Sequence, residues 1–253
     1  MLMKAFWIAL STYSIVPVPQ FDWDEENMKY SICFFPAVGL LCGGAMALWY
    51  WFCLRMQVGT LLFAAVAACL GLLVSGGIHM DGFMDTVDAL ASHRPRERKL
   101  EILKDSNCGA FAVMYGMLWL LMSFGIFSGL YELDLVWLVC PLFVLSRALS
   151  GLCALNIPSA RRSGMLGSLT KNTRRFRGSL ALVCWAVPAA AGMLWLSPLA
   201  GLCGLLAAAL WVFAYYRTVM KQFGGVTGDT AGFFLQLCEL LVPFALWMGG
   251  LFA

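Results

Sequence analysis

The chain has 253 residues, of which 61% are hydrophobic and only 12% are charged, and its formal net charge at pH 7 is +3. The mean hydropathy of +0.81 is well outside the usual range of soluble domains, which excludes a soluble globular protein and indicates a membrane protein. The small positive charge indicates attraction to membrane lipid and a defined topology rather than the binding of nucleic acid.

Seven apolar runs along the chain are long enough to cross a bilayer as helices. They lie at about residues 30–54, 58–78, 109–130, 135–154, 179–196, 199–216 and 231–252. A further apolar run at the N-terminus is short and ends at Pro17 and Pro19, which predicts a thin eighth span or a re-entrant or interfacial helix. The sequence therefore predicts an all-α, polytopic helical bundle of about seven transmembrane helices, as a single integral membrane domain over residues 1–253.

The basic residues are distributed unevenly among the connections between these runs. Five lie in residues 80–108, six in residues 155–178 and two in residues 217–230, which together are thirteen of the seventeen. The opposite connections contain Arg55 as their only base, with Glu132 and Asp134 as acids. By the positive-inside rule, we expect the three basic connections on the cytoplasmic side of a bacterial inner membrane.

An acidic cluster follows the second apolar run, in the segment GGIHMDGFMDTVDAL at residues 76–90. Asp81, Asp85 and Asp88 are spaced i, i+4, i+7, so on a helix their side chains project within about 60° of one another. Three bare carboxylates so close would repel strongly, and a bound Mg²⁺, or alternatively Mn²⁺, removes that repulsion. The sequence therefore predicts a metal site on these three residues, with a solvated acidic helix start as the alternative.

Other residues of this segment are candidates for the same site. Gly76, Gly77 and Gly82 bracket the aspartates and indicate a close approach of backbone or ligand. His79 points away from the aspartate face by helix geometry, so it is expected to support the site or the fold rather than to bind the metal. His79 is therefore a candidate catalytic residue with a supporting role.

A second acidic candidate lies farther along the chain. Pro95 suits the first turn of a cytoplasmic helix, along which Glu97, Glu101 and Asp105 repeat at intervals of four residues. Such a row is usually a solvated face. Asp105 stands apart because it lies in KDSNCG, directly before the next span, and it is a candidate catalytic residue.

A third polar element is QFGGVTGDTAGFFLQLCEL at residues 222–240. Gly224, Gly225 and Gly228 would free a loop to bind an anion with backbone N–H groups. On the helix that follows, four residues fall within about 80° of one another, namely Asp229, Gly232, Gln236 and Glu239. Asp229 is therefore a candidate catalytic residue.

Glu239 lies well inside an apolar run, where an ionisable side chain is costly and is a functional candidate by default. Arg147, inside another run, is its predicted partner, and both are candidate substrate-binding residues. The alternative is a purely structural buried ion pair. A basic loop that is equally explained by phosphate binding or by topology contains Arg161, Arg162, Arg174, Arg175 and Arg177.

These motifs resemble those of the adenosylcobinamide-GDP ribazoletransferase family, the cobalamin synthases, and the resemblance covers nearly the whole chain. The first motif is matched by Gly76, Gly77, His79, Asp81, Gly82, Asp85, Thr86 and Asp88, and the later one by Gly224, Gly225, Thr227, Gly228, Asp229 and Glu239. KLEILKDSNCGAFAV and the SRALSG around Arg147 also match. Two positions depart from the family pattern. Ala89 replaces a common glycine, and Ile15 replaces a common arginine, which puts in doubt a phosphate contact from that segment.

The resemblance implies transfer of the adenosylcobinamide phosphate moiety from adenosylcobinamide-GDP to α-ribazole or its 5′-phosphate, with release of GMP. Such a displacement at a pyrophosphate requires a divalent metal and a positioned hydroxyl nucleophile. We assign Asp81, Asp85 and Asp88 to the metal, and Asp229 to a second metal or to general-base duty. The oligomeric state, monomer or homo-oligomer, stays open.

Two other classes of protein also place acids within membrane helices. CDP-alcohol phosphotransferases and membrane prenyltransferases hold metal and diphosphate with helical aspartates, but their D-x-x-D-G-x-x-A-R and N-D-x-x-D motifs do not occur here. A cation-coupled transporter would usually bind near mid-bilayer between broken helices. The acidic cluster instead follows the end of a span and adjoins a basic connection, which favours chemistry on a cytoplasmic substrate.

Overall fold

The computed structural model describes residues 2–19, 28, 30–105, 107–161, 166, 167, 170 and 173–253. In this part of the chain the regular elements are helices, in agreement with the predicted all-α bundle. They are α1 (Leu2–Tyr13), α2 (Phe35–Met56), α3 (Thr60–Ser75), α4 (Ile78–Ala91), α5 (Arg96–Ile102), α6 (Ala110–Glu132), α7 (Val139–Asn156), α8 (Arg175–Leu196), α9 (Pro198–Gln222) and α10 (Gly228–Gly250). Short 3-10 turns at Ser31–Phe34 and Val136–Leu138 precede α2 and α7.

Six helical segments of the described chain are long and apolar enough to cross a membrane. They are Ser31–Met56, Ala110–Glu132, Val136–Asn156, Arg175–Leu196, Pro198–Gln222 and Gly228–Gly250. Their positions agree with six of the seven predicted runs, and they confirm a polytopic helical bundle. α1 has 12 residues, which is too short for a span, and it packs instead on the start of α2.

The predicted run at residues 58–78 is not one straight helix. α3 ends at Ser75, and α4 leaves it at an angle of 96°. Gly76 and Gly77 form the corner with φ angles of 64° and 80°, in the left-handed region that interrupts a right-handed helix. The glycines predicted to permit a close approach therefore first make this turn. α4 has 14 residues and includes the three aspartates, so it is too short and too acidic to span by itself, and with α3 it forms one bent pair, a broken span or a re-entrant loop, at the end of the bundle.

The bundle is centred on α7, which packs against α2 and α8. A Cβ atom on Gly43 of α2 would lie 2.7 Å from the carbonyl oxygen of Cys140, and Gly39 makes a similar approach to the backbone at Phe143. Two small residues four positions apart thus let the α2 and α7 backbones touch, as is common between membrane helices. α8 and α9 are mostly exposed, as lipid-facing helices are.

The three predicted basic connections meet at one end of the bundle. The N–H of Val226 donates to the carbonyl of Pro158 at 2.8 Å, and the N–H of Ala160 donates to the carbonyl of Val226 at 3.0 Å. Lys99 Nζ donates to Gln222 Oε1 at 2.5 Å and so joins α5 to the end of α9. The prediction that these connections share one face is therefore confirmed.

Candidate active site

A cavity of about 330 Å³ opens at this end of the bundle, between the first turns of α4 and α10, the end of α7 and the connection that follows it. Six residues predicted for the site line it together, namely His79, Asp81, Gly82, Thr227, Gly228 and Asp229. They come from two segments that are far apart in the sequence. Arg161, from the predicted basic loop, completes the polar wall.

Two glycines bring these segments together where α4 crosses α10. A Cβ atom on Gly82 would lie 2.8 Å from the carbonyl oxygen of Asp229, and one on Gly232 would lie 2.7 Å from the carbonyl oxygen of His79. The close approach predicted at Gly82 is therefore an approach of backbone to backbone. It places Asp81 and Asp229 on the walls of one cavity.

Asp229 lies in the first turn of α10, beside the capping residue of that helix. Thr227 caps α10 by accepting a hydrogen bond from the N–H of Thr230 at 3.1 Å. The Thr227 hydroxyl also donates to Asp229 Oδ2 at 3.3 Å, and Arg161 Nη1 lies 3.4 Å from the same oxygen. Arg161 is held from its other side, because its Nη2 donates to the carbonyl of Leu100 at 2.8 Å. Its contact with Asp229 is long for a charge-assisted hydrogen bond, so the pair is loose.

Negative charge is in excess at this end of α4. The pKa of Asp85 is raised from 3.8 to about 6, mainly by burial and also by the charges of Asp81, Asp229 and Asp88, against a lowering by Arg161. Carboxylates that disfavour one another's ionisation are a suitable donor set for a hard divalent cation. The donor chemistry therefore fits the predicted metal.

The aspartates are not gathered around one point. Among the residues that the structure describes, no three or more His, Cys, Asp or Glu side chains lie close enough together to hold a metal ion. Asp88 faces the start of α6, where its Oδ2 accepts from the N–H of Gly109 at 2.7 Å and its Oδ1 from the N–H of Ala112 at 2.9 Å. Asp88 thus holds the N-terminus of α6, and its assignment to the metal stays a prediction.

His79 lies in an apolar part of the cavity wall. Its ring is 5.9 Å from that of Tyr13 and 5.5 Å from that of Phe35, measured between centroids. Burial, with a smaller contribution from the positive charge of Arg147, lowers the pKa of His79 to about 3, so the imidazole is neutral at pH 7. Its packing against two aromatic rings agrees with the expected supporting role. A neutral ring supplies no positive charge to a phosphate.

Arg147 and Glu239 form the predicted buried pair, deeper in the bundle. Arg147 Nη1 lies 2.5 Å from Glu239 Oε1, and the same oxygen accepts from the Ser146 hydroxyl at 2.7 Å. The Arg147 guanidinium also donates to the carbonyl of Phe143 at 3.0 Å. Their pairing is confirmed, whereas their assignment to substrate binding stays a prediction.

The glycine loop before α10 is filled by the protein itself. Gly224, with φ 71°, lies against the Arg96 guanidinium, and Gly225 lies against the backbone at Pro158. The N–H of Gly225 donates to the carbonyl of Val219 at 3.2 Å, so that amide is not free for an anion. The conformational freedom of these glycines serves this packing, and a direct anion contact from them stays a prediction.

The two remaining candidates lie outside the cavity lining. Asp105 was expected on the helix of Glu97 and Glu101, and this was wrong, because α5 ends at Ile102. Asp105 instead accepts from the backbone N–H and the side-chain amide of Asn107, and these hydrogen bonds lower its pKa. Thr86 is buried, and its hydroxyl has no hydrogen-bond partner among the described residues.

The lining residues that the sequence interpretation missed include Tyr13, Phe35, Ser150 and Ser159. Ser150 follows Ser146 and Arg147 by a helical turn in an otherwise apolar run, and this polar spacing was a usable signal. The Leu100 carbonyl that holds Arg161 had no signal, because a backbone acceptor is present at every residue.

The chain is similar to proteins of one enzyme family over nearly its whole length. The family described as Cobalamin-5-phosphate synthase matches residues 5–247. A relative from Lachnoclostridium phytofermentans, named adenosylcobinamide-GDP ribazoletransferase, is 39% identical over 96% of this chain and 93% of its own length. Relatives of the same name from Desulfitobacterium hafniense and Acinetobacter baumannii are 34% and 31% identical, over 94% and 96% of this chain and 94% and 96% of their own lengths. No solved structure matches the chain.

Proposed function

The chain belongs to the cobalamin-5-phosphate synthase family, and we propose that it is a metal-dependent adenosylcobinamide-GDP ribazoletransferase. Its relatives carry the name of that activity. The reaction joins the adenosylcobinamide phosphate moiety to α-ribazole, or to α-ribazole 5′-phosphate, and releases GMP in the final step of cobalamin synthesis. The observation that carries the proposal is the single cavity in which Asp81, Asp229 and Arg161 meet.

The cavity residues supply what a displacement at a pyrophosphate needs. A ribose hydroxyl that is free in both α-ribazole and its 5′-phosphate attacks the phosphorus next to the cobinamide, a new P–O bond forms, and the bond to the GMP oxygen breaks. Asp229, which lies on the cavity wall beside the arginine that binds the pyrophosphate, accepts the proton of that hydroxyl. Arg161 binds the pyrophosphate oxygens with its planar set of donors. The first turn of α10, at Gly228, adds the favourable end of a helix dipole.

Asp81 and Asp85 are the residues that would hold Mg²⁺, or Mn²⁺ in its place. Asp88 would be a further ligand, held in position by its hydrogen bonds to N–H groups at the start of α6. A carboxylate oxygen has two lone pairs, so Asp88 is able to keep its contacts to the α6 amides and still contribute. When bound, the metal neutralises charge that develops on the leaving nucleotide. Oxygen ligands and an excess of negative charge support this assignment.

We propose that the protein lies in the inner membrane of a bacterial cell and that its cavity opens on the cytoplasmic side. The three connections that meet around it contain most of the basic residues of the chain. Both substrates are polar, so they would reach the site from the water phase and not from lipid. Reporter fusions after Arg98 and after Arg175 should both give cytoplasmic signals, and a periplasmic signal from either contradicts this orientation.

The activity is tested with purified protein in lipid nanodiscs, supplied with adenosylcobinamide-GDP and α-ribazole. We expect GMP and the cobalamin product to appear in equal amounts, only with both substrates and only with Mg²⁺ or Mn²⁺. A chelator should abolish turnover, and added metal should restore it. GMP release without α-ribazole, or full turnover in the chelator, would contradict the proposal.

A further inference from the structure

The short cytoplasmic helix α5 is fixed to the end of the bundle by one buried lysine and a small apolar cluster. Lys99 is only 6% exposed, and its Nζ donates to Gln222 Oε1, at the last residue of α9. Leu103, just after α5, is buried with Phe223 and Ala89. A helix of seven residues is not stable by itself in water, so the position of α5 depends on these contacts.

The residue after Lys99 connects this helix to the cavity. The carbonyl of Leu100 accepts a hydrogen bond from Arg161 Nη2 at 2.8 Å, while Nη1 of the same guanidinium lies 3.4 Å from Asp229. Among the described residues no other contact holds the Arg161 guanidinium as closely, because the contact to Asp229 is long and the Arg161 Nε has no hydrogen-bond partner there. The direction of the guanidinium is therefore set mainly by where α5 lies.

We infer that Lys99 is a positioning residue of the reaction: by docking α5 on Gln222, it places the Leu100 carbonyl that orients Arg161 toward the pyrophosphate of the donor substrate. The inference rests on the proposed function, in which Arg161 binds the pyrophosphate. Lys99 itself does not line the cavity and acts only through α5. A long side chain buried to this degree usually has a partner, and here that partner belongs to a different helix.

The test is a double-mutant cycle with Lys99→Met, Arg161→Gln and the combination. Methionine keeps much of the length and packing of Lys99 and removes the bond to Gln222. We expect Arg161→Gln to raise the KM for adenosylcobinamide-GDP, and the Ki of inorganic pyrophosphate as inhibitor, by about 10- to 100-fold, the usual effect of losing a charged hydrogen bond. Lys99→Met should raise both constants by about 3- to 30-fold and leave the KM for α-ribazole within about twofold.

Coupling between the two positions distinguishes positioning from plain stabilisation. Once Arg161 is glutamine, Lys99→Met should raise neither constant further, because the residue through which it acts is gone. The matched control is Arg98→Met, one residue earlier on α5, where the exposed ion pair with Glu101 should contribute little. If Lys99→Met accumulates poorly, Gln222→Leu removes the same hydrogen bond from the other side and should give the same pattern.

Two results obtained with Lys99→Met would overturn the inference. One is an additive double mutant, and the other is a Lys99→Met protein with a lower melting temperature but unchanged constants for donor and pyrophosphate. An unchanged pyrophosphate Ki in Arg161→Gln also overturns it, by removing the ligand on which Lys99 would act. These failures leave wild-type turnover intact, whereas failure of the proposed function appears as a wild-type protein that makes no product.

Discussion

Two pairs of opposite charges lie along α10, and they differ in almost every physical respect. At the first turn, Asp229 and Arg161 are 3.4 Å apart, and their side chains are 27% and 21% exposed. Farther along, Glu239 and Arg147 are 2.5 Å apart, and their side chains are 8% and 1% exposed. The outer pair has a long contact and can be reached from the cavity, whereas the inner pair has a short contact and is buried.

The balance of charge differs in the same way. Around the outer pair, Asp81, Asp85 and Asp88 add negative charge that one arginine among the described residues opposes. The inner pair is matched one to one, and Ser146 donates a further hydrogen bond to Glu239. An excess of carboxylates that can exchange partners suits the binding of a cation and a phosphate, whereas a matched pair suits fixing the helices.

The largest effect is expected from removing charge at the outer region. Asp81→Asn or Asp85→Asn keeps size and polarity but withdraws a negative charge from the proposed metal ligands. Turnover should fall by about 100-fold or more, and the Mg²⁺ concentration for half-maximal activity should rise, while the protein still inserts in the membrane.

A solvated acidic surface gives the opposite result in the same experiment. Each substitution would then relieve repulsion and leave turnover and the Mg²⁺ midpoint unchanged. Glu97→Gln, at an exposed position on α5, is the matched control, and it should behave like the wild type. Wild-type activity of Asp85→Asn at ordinary Mg²⁺ would remove the metal assignment.

The inner pair should respond in stability rather than in metal dependence. Glu239→Gln or Arg147→Met leaves one buried charge without its partner, which costs about 3–5 kcal/mol. We expect lower yield and a lower melting temperature, with the Mg²⁺ midpoint of the surviving protein unchanged. The double substitution should cost less than the sum of the two, and simple additivity would show that the pair is not coupled.

The fold was predictable to the extent that composition decides it. Apolar runs of sufficient length identified six of the spanning segments, because in a bilayer each must bury its own backbone groups in a helix. The corner at Gly76 and Gly77 was not predicted, although both glycines were recognised, because the apolar run continues through it to Ile78. The 96° turn depends on two φ angles, and hydropathy does not report them.

The site was predictable in its residues and less so in its arrangement. Asp81 and Asp229 were chosen independently, from helical spacing and from the glycine loop, and the crossing at Gly82 brings them to one cavity. Three aspartates on one helix face did not predict that Asp88 turns to the amides of α6. That partner comes from another helix, and the spacing within α4 carries no information about it.

Asp88→Asn should have an intermediate effect and decide how Asp88 is used. Asparagine keeps one oxygen acceptor for the amides of Gly109 and Ala112 and replaces the other with a donor. We expect a fall in melting temperature equivalent to about 1 kcal/mol, the usual value of a helix cap, and a smaller shift in the Mg²⁺ midpoint than Asp81→Asn gives. An equal or larger shift in the Mg²⁺ midpoint would show that Asp88 contributes to metal binding as much as Asp81 does.

The smallest expected effect is a dependence of stability on pH that belongs to the outer region. The pKa of Asp85 in the folded protein is about 6, above its ordinary value of 3.8, so folding favours the protonated form. The resulting stabilisation is fully present below pH of about 4 and is lost as the pH rises through about 6. Without metal, the melting temperature should therefore rise when the pH is lowered from 7.5 to about 5.5, and Asp85→Asn should reduce that rise.

Mg²⁺ competes with this proton, so its half-saturating concentration should increase below pH of about 6. If the wild-type protein and Asp85→Asn respond to pH in the same way, with and without Mg²⁺, the pKa of Asp85 is not raised by its surroundings.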